Sequence, residues 1–283
     1  FFVVSGFIMV HASQDLFGRD GAAKLFLKRR LARIVPLYWA MTTLFLLVGL
    51  VVPSVLNSGV PNLQQVLGSY LFWPMVSTQG QVQPVYSLGW TLNYEMLFYV
   101  LFAAGLLLPR RWTLPAITLV LALLVAAESL NGPLALPFGF WGQPIVLEFA
   151  AGMGIAVLRQ KGLRLHGALR IAVAMAGAAL LVVAAHVPGT DGVWSSVLWR
   201  GGAAVLLMLA AGCGREGIVP LPPVKALAAV GDASYALYLV HPFVIRGMRE
   251  AVLRLGLHSP GLYIALALVG SVVAALLLYR FFE

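Results

Sequence analysis

The sequence has little charge and almost no cysteine, and each shortage excludes a class of protein. Charged residues make up 10% of the chain, whereas a soluble globular protein carries roughly 25%. Because Cys213 is the only cysteine, a disulfide-stabilised secreted scaffold is excluded. The sequence also lacks polar tracts, a strict glycine period and a heptad period. Those absences exclude a disordered chain, a collagen and a coiled coil.

Apolar residues are abundant instead: 61% of the 283 residues are hydrophobic, and no long polar linker divides them. A helix needs about 20 apolar residues to cross the hydrocarbon core of a bilayer. Runs bounded by charge, Gly or Pro are found at 1–12, 36–54, 85–108, 113–129, 143–158, 168–187, 197–213, 227–247 and 261–282. The predicted fold class is therefore all-α, a polytopic transmembrane helical bundle with about nine spans in one integral-membrane domain over 1–283. A shorter, interrupted run over 64–76 is predicted to be re-entrant or interfacial.

The distribution of basic residues predicts the orientation of these spans. A net charge of +9 is compatible with nucleic-acid binding, but the basic residues lie in short clusters between apolar runs, as in cytoplasmic loops. Fifteen of the 19 fall on one side of the predicted bundle, and the other side has Arg200, Arg246, Arg249 and Arg254. By the positive-inside rule Phe1 lies outside and the C-terminus is cytoplasmic. An outside start without a signal sequence predicts one further helix upstream, and the C-terminus is also expected to be trimmed.

The basic segment KRRLARIVPLY, residues 28–38, is the first candidate for chemistry. Arg30 and Arg33 are three residues apart, so they share one face of a helix. Two guanidinium groups on one face suit phosphate recognition. The same cluster also fits a stop-transfer signal that fixes topology and contacts anionic lipid.

The segment SLGWTLNYEMLFY, residues 87–99, is the second candidate. Glu95 lies well inside a predicted span, where an ionisable group is costly and indicates a functional site by default. Trp90 and Asn93 are expected near it, on the polar, aromatic start of the helix. A buried Glu that pairs with a basic residue and locks helices together is the open alternative.

The segment GDASYALYLVHP, residues 231–242, is the third candidate. Ser234, Tyr238 and His241 follow i, i+4 and i+3 spacings, so they are predicted to form one polar stripe. Asp232 is predicted to be the N-cap of this helix. Pro242 lacks an N–H and therefore frees a carbonyl in the preceding turn. His241 is either a structural hydrogen bonder or part of a polar cavity.

Glu148 and Arg200 are further polar residues inside predicted spans, and the topology puts both near the outer side with His241. The sequence alone does not determine whether they converge on one site. Motifs for a metal site, a P-loop NTPase or a serine hydrolase are absent from the sequence.

Four segments occur in a characteristic order: FFVVSGF at 1–7, RLARIVPLY at 30–38, WTLNYEMLFY at 90–99 and SYALYLVH at 234–241. They resemble F-F-x-x-S-G-F, R-x-x-R-I-x-P-x-Y, W-[ST]-L-x-x-E-x-x-F-Y and S-Y-x-x-Y-L-x-H of the membrane-bound acyltransferase-3 family. The match extends over nearly the whole chain. The start also resembles the branch of that family that decorates exopolysaccharides with acetyl or succinyl groups.

The resemblance implies about ten membrane helices, with the first upstream of Phe1, and a catalytic His in that helix which none of the five histidines here matches. It also implies that Arg30 and Arg33 handle acyl-CoA. Among the residues present, Glu95 and His241 are the catalytic candidates. Candidates for contact with the acceptor are Trp90, Asn93, Tyr238, Glu148 and Arg200. No metal or bound cofactor is expected, and acyl-CoA is the expected co-substrate.

The predicted function is an integral membrane O-acyltransferase that moves an acyl group, with acetyl expected, from acyl-CoA to a hydroxyl of a cell-surface or exported carbohydrate. Expected partners are membrane lipid, acyl-CoA and a carbohydrate or lipid-linked glycan, without nucleic acid. The expected location is the bacterial inner membrane. The alternatives are a transporter or flippase for a polar solute or lipid-linked glycan, and a structural membrane subunit. No internal repeat supports an inverted-repeat transporter.

Overall fold

The computed structural model of the protein describes residues 1–52, 59–186, 192–214, 222–256 and 259–282. Helices dominate these ranges, and the isolated pairing of Val76 with Val82 is the β-bridge found among them. The helices are α1 Phe2–Ala12, α2 Ala22–Val51, α3 Leu63–Tyr70, α4 Trp90–Gly105, α5 Arg110–Asn131, α6 Phe138–Trp141, α7 Leu147–Gln160, α8 Gly167–His186, α9 Val193–Ser196, α10 Gly202–Gly212, α11 Pro222–Asp232, α12 Ser234–Arg254 and α13 Pro260–Phe282. A π-helical segment, Val197–Gly201, joins α9 to α10.

The predicted class, an all-α membrane protein, is confirmed by long apolar helices. Within the described ranges, five helical runs are long and apolar enough to cross a membrane: α2, α5, α8, the run Val193–Gly212 and α13. A sixth is added if α11 and α12, which are bent by 79° at their junction, count as one span. The expected count of about nine spans is not confirmed.

The number of spans is lower than expected because three of the predicted apolar runs form helices that are too short to pass as ordinary spans. Runs 1–12, 85–108 and 143–158 give α1, α4 and α7, which have 11, 16 and 14 residues. The second and third runs contain tight 3₁₀ turns near their start, at Ser87–Gly89 and Pro144–Val146, so their α-helices begin later. The helices that remain are shorter than the roughly 20 residues of an ordinary span.

The start of α12, near the bend at Ala233, differs from the prediction that Asp232 is the N-cap of this helix. Asp232 is the last residue of α11, and the residue that precedes the first turn of α12 is Ala233, which provides no side-chain hydrogen bond. The prediction of Asp232 as an N-cap was therefore wrong. Because α12 begins at Ser234, the capping position falls on Ala233, one residue after Asp232.

The chain divides into two compact units. The first unit contains residues 1–30, 72–75 and 90–217, and the second contains residues 31–71, 76–89 and 218–283. The single domain expected from the sequence stays a prediction.

In the first unit, α1 and α7 approach each other through glycines. A Cβ atom on Gly6 would overlap the backbone carbonyl of Phe149, and one on Gly152 would overlap that of Val3. Around this crossing lies an aromatic core, in which the Phe149 ring is 4.8 Å from that of Phe2 and 4.2 Å from that of Phe98. Small residues at a helix crossing let two backbones pack closely, which is the main source of helix association in a membrane.

Two arginines of the first unit satisfy the end of α10. The final carbonyls of a helix have no partner within the helix itself. Arg170 Nε donates to the Ala210 carbonyl at 2.8 Å, and the Arg159 guanidinium donates to the carbonyl of Gly212. These basic residues therefore have a structural role besides any role in topology.

In the second unit, tyrosine hydroxyls connect α2, α12 and the segment before α4. Tyr235 donates to the Ile34 carbonyl at 2.8 Å, and Tyr86 donates to the Leu239 carbonyl at 2.6 Å. Further along both helices, the Phe45 and Phe243 rings are 6.3 Å apart. Because contacts advance in the same direction on α2 and α12, these two helices run parallel.

Candidate functional site

The Arg30–Arg33 pair lies on one continuous helix, α2, which passes through Pro36 without ending. The Arg30 guanidinium stacks over the Phe26 ring at 5.7 Å from its centroid. After the pair, Ile34, Leu37 and Tyr38 are buried. The spacing predicted from the sequence is therefore present, with two cations one turn apart where α2 enters its apolar part.

The carboxyl group of Glu95 is buried in the first unit, with 1% of the residue exposed. The side chains of Ser5 on α1 and Tyr99 on α4 are hydrogen-bonding neighbours of the carboxyl group, and the charge of Arg30 acts on it. Its Oε1 atom has no hydrogen-bond partner among the described residues. A buried carboxyl group with spare acceptor capacity is costly unless a further group binds to it.

Asn93 and Trp90 occupy other faces of the same helix. Asn93 is also 1% exposed, and its Oδ1 atom has no partner in the part of the chain that is described. It precedes Glu95 by two residues, which corresponds to about 200° around a helix. The Trp90 ring packs 6.0 Å from Tyr94 and 6.1 Å from Phe2. Asn93 and Glu95 therefore lie on different sides of α4, and the expected grouping of these residues near one another stays a prediction.

His241 closes the gap in the α12 hydrogen-bond ladder that Pro242 creates. The Nδ1 atom of His241 lies 2.9 Å from the Tyr238 carbonyl, four residues before the proline, and 3.2 Å from that of Leu237. Since a carbonyl only accepts, Nδ1 carries the proton and donates it to the bond. In the neutral ring Nε2 is then the acceptor, so the geometry fixes one tautomer.

The predicted polar stripe on α12 is confirmed. Ser234, Tyr238 and His241 all line one cavity of about 570 Å³, together with Tyr263 and Ser271 of α13. The Tyr238 hydroxyl is engaged at 2.8 Å with the Leu88 carbonyl. A cavity of this size, with an imidazole in an otherwise mostly apolar wall, is suited to a small organic group.

Glu148 lies against the π-helical segment that contains Arg200. It is in the first turn of α7, where a negative charge is favoured by the helix dipole. A Cβ atom on Gly201 would be 2.8 Å from Glu148 Oε1. The carboxylate therefore packs on the residue next to Arg200, and π-helical turns are frequent at functional sites.

Three arginines that motif analysis did not select line a second cavity. Arg246, Arg249 and Arg254 of α12 face a space of about 750 Å³. A signal was present in the sequence, because three of the four basic residues on the predicted outer side fall within nine positions. Such clustering is unexpected if only the positive-inside rule places basic residues.

Comparisons with known proteins identify the family to which the chain belongs. Among the described residues, no group of three or more His, Cys, Asp or Glu could hold a metal ion. Residues 1–280 match the family described as an acyltransferase domain. The chain is 37% identical to the exopolysaccharide production protein ExoZ of Rhizobium meliloti strain 1021. The alignment of 289 residues covers 96% of this chain and 83% of that relative. No solved structure is significantly similar to the chain. The chain therefore belongs to the acyltransferase-3 family and is an integral membrane acyltransferase.

Proposed function

We propose that the protein is an O-acyltransferase of the bacterial inner membrane. It moves an acyl group, most simply acetyl, from acyl-CoA to a hydroxyl of an exported carbohydrate or lipid-linked glycan. Family membership supports acyl transfer, and the printed name of the 37% identical relative supports an exopolysaccharide as the acceptor. The proposed orientation has the C-terminus in the cytoplasm, because most basic residues then lie on the cytoplasmic side.

The observation that carries the proposal is the pair Arg30 and Arg33, one turn apart where α2 enters its apolar part. Coenzyme A carries phosphate groups, and guanidinium groups bind phosphate through paired, charge-assisted hydrogen bonds. A rigid helix holds the two groups at a fixed separation. In the proposed orientation this end of α2 faces the cytoplasm, where acyl-CoA is made available.

The proposed chemistry requires a base and donors but no activation of the acyl group, because a thioester is already activated. The Nε2 atom of His241 accepts the proton of the attacking hydroxyl, which raises the nucleophilicity of its oxygen. That oxygen forms the new ester bond at the thioester carbonyl, and the C–S bond breaks. The thiolate of coenzyme A leaves and takes up the proton. Glu95 supplies a buried acceptor for a hydroxyl through its Oε1 atom.

Residues proposed to contact the acceptor form a separate set. The set is Trp90, Asn93, Tyr238, Glu148 and Arg200. Asn93 and Glu148 support this proposal most directly, because Asn93 keeps a spare acceptor atom and Glu148 packs beside a π-helical turn.

The test of donor binding uses sealed inverted membrane vesicles that contain the protein, supplied with labelled acetyl-CoA. We expect Arg30→Ala and Arg33→Ala each to raise the KM for acetyl-CoA about tenfold or more, because a hydrogen bond between charged groups contributes about 1.5–3 kcal/mol. Label transferred to glycan is measured at several concentrations of acetyl-CoA.

Lys28→Ala is the matched control, since it removes one positive charge from an exposed neighbour that lies about 200° around the helix from Arg30 and about 140° from Arg33. An equal loss in all three variants would point to topology or surface charge rather than a CoA site. Transport of labelled glycan across the vesicles without any acyl-CoA would instead favour a flippase.

A further inference from the structure

The second cavity combines cationic and apolar walls within the second unit. Its volume is about 750 Å³. Arg246, Arg249 and Arg254 contribute three positive charges, and Glu250 contributes one negative charge, all from the end of α12. All three arginines are exposed residues. The net positive character of the cavity favours an anionic ligand.

The cavity is also lined by apolar residues, which form a wall beside the arginines. Phe45 and Val48 contribute it from α2, Val52 from the position just after that helix, and Phe243 from α12. The Tyr86 ring is 5.3 Å from Phe45 and 5.5 Å from Phe243, so three aromatic rings form its base. Because the Tyr86 hydroxyl is already bonded to the Leu239 carbonyl, this base is fixed rather than adaptable.

The cavity and the Arg33 end of α2 lie at opposite ends of one helix. Arg33 and Val48 are 15 residues apart on α2, which corresponds to about 22 Å at 1.5 Å per residue. That distance is most of the roughly 30 Å hydrocarbon core of a bilayer. The arginine cavity is therefore at the membrane boundary opposite the proposed acyl-CoA site.

A ligand for this cavity needs two chemically different parts. Three guanidinium groups match the oxygens of a phosphate or diphosphate, which accept several charge-assisted hydrogen bonds at once. The adjoining apolar wall matches a hydrocarbon chain and lies level with the membrane. A soluble sugar or a free anion would use only one of the two walls.

We propose that Arg246, Arg249 and Arg254 bind the phosphate or diphosphate group of an amphiphile whose hydrocarbon chain lies against Phe45, Val48 and Val52. This chemistry is shared by a polyprenyl-linked carrier and an anionic phospholipid. In the proposed acyl transfer, the cavity would anchor the acceptor, a lipid-linked glycan, on the side of the membrane opposite acyl-CoA. This role of the cavity therefore rests on the proposed function. The binding itself does not depend on turnover.

The test is direct binding of geranylgeranyl diphosphate to the purified protein in phosphatidylcholine nanodiscs. We expect the Kd to rise about tenfold in each of Arg246→Gln, Arg249→Gln and Arg254→Gln, because each removes one charge-assisted contact. Arg280→Gln is the matched control, since it removes one exposed charge from α13 in the same unit and should leave the Kd unchanged. Arg249→Lys should recover only part of the affinity, because an ammonium group cannot bond in a bidentate way.

Competitors separate the possible sources of binding. Geranylgeraniol and inorganic pyrophosphate, each with one of the two parts, should compete at least about tenfold more weakly than the intact probe. Displacement by phosphatidylglycerol would identify a phospholipid headgroup as the occupant, and resistance to it would identify a polyprenyl diphosphate. Coenzyme A should not displace the probe, because its site is at the other end of α2.

Three results would overturn the proposal. They are an unchanged Kd in all three arginine variants, equal competition by the phosphate-free alcohol, and displacement by coenzyme A as effective as by the probe. Gln is a good helix former at exposed positions, so the variants are expected to fold. Failure of acyl transfer in vesicles, with binding of the probe intact, would reject the proposed function and keep the site.

Discussion

At the scale of single residues, the most informative arrangement is the His241–Pro242 pair. The proline leaves the Tyr238 carbonyl without its backbone donor, and the His241 ring supplies that donor through Nδ1. One side chain therefore completes the helix with one nitrogen and presents the other nitrogen as an acceptor. Its structural and chemical roles are separable because they belong to different atoms.

A pair of substitutions separates those roles. The amide nitrogen of Asn can replace Nδ1, so His241→Asn should keep the thermal stability of the protein in detergent. It should lower acyl transfer by about 10²-fold or more, since general-base catalysis contributes about 10²–10⁴-fold. His241→Gln should instead lower the melting temperature, because its amide extends past the Tyr238 carbonyl. Full acyl transfer by His241→Asn would show that His241 only completes the helix.

The sequence identified Glu95 and the tyrosines of α12 as special but not the groups they contact. Burial of a carboxylate in an apolar run is visible from composition alone. Its neighbour Ser5 belongs to another helix, and the Ile34 carbonyl that Tyr235 bonds is 201 residues away. Such long-range pairs follow from the packing of helices, for which a single sequence carries no periodic signal.

At the scale of helices, periodicity located most elements but not their ends. The basic turn at 110–111 and the apolar run after it correctly predicted α5, which begins at Arg110. The lengths of α4 and α7 were overestimated because a 3₁₀ turn near the start of each run is not distinguished from an α-helix by hydropathy. The 79° bend before α12 was also missed, because the apolar run over 227–247 continues across it.

The crossing of α1 and α7 gives a prediction at this scale. Gly6→Ala and Gly152→Ala each place a methyl group into a facing backbone carbonyl, which cannot rotate away as a side chain can. We expect each to destabilise the protein by about 1–3 kcal/mol, as overpacked substitutions do. The measurement is thermal unfolding in detergent, with activity recorded in parallel.

Gly154 provides the control for that prediction, because it lies on the same helix with nothing within 4 Å of a Cβ. Gly154→Ala should be neutral or slightly stabilising, since Ala has the higher helix propensity. Equal destabilisation by all three alanines would mean that α7 needs glycine for backbone flexibility rather than for close approach to α1.

At the scale of the whole molecule, α4 and α7 determine how many helices cross the bilayer. The charge pattern predicts alternating sides for successive loops, which requires α4 and α7 to cross. Their 16 and 14 residues correspond to about 24 and 21 Å. A short helix can still cross where the bilayer thins locally or where flanking residues extend to the interface. The 3₁₀ turns that precede α4 and α7, Ser87–Gly89 and Pro144–Val146, add further length at one end of each helix.

Labelling of single cysteines introduced on either side of α4 and α7 tests whether these helices cross the bilayer. The native thiol of Cys213 is fully buried, so the wild-type protein should be a silent background for a membrane-impermeant maleimide. If α4 crosses, Gln81→Cys and Arg111→Cys should label from opposite sides of sealed vesicles. If α7 crosses, Asn131→Cys and Lys161→Cys should do the same. All four positions are exposed, so protein folding does not hide them.

We expect Gln81→Cys and Asn131→Cys to label from outside, and Arg111→Cys and Lys161→Cys from the cytoplasmic side. The physical reason is that Arg110, Arg111, Arg159 and Lys161 form the basic clusters at the ends of α4 and α7, and such clusters are retained in the cytoplasm. Labelling of Gln81→Cys and Arg111→Cys from one side would show that α4 is re-entrant. The proposed sidedness of Arg33 and of the arginine cavity would be unaffected, because both lie on α2 and the helix parallel to it. That sidedness instead requires α2 itself to cross, and with 30 residues it is the longest helix in the described chain.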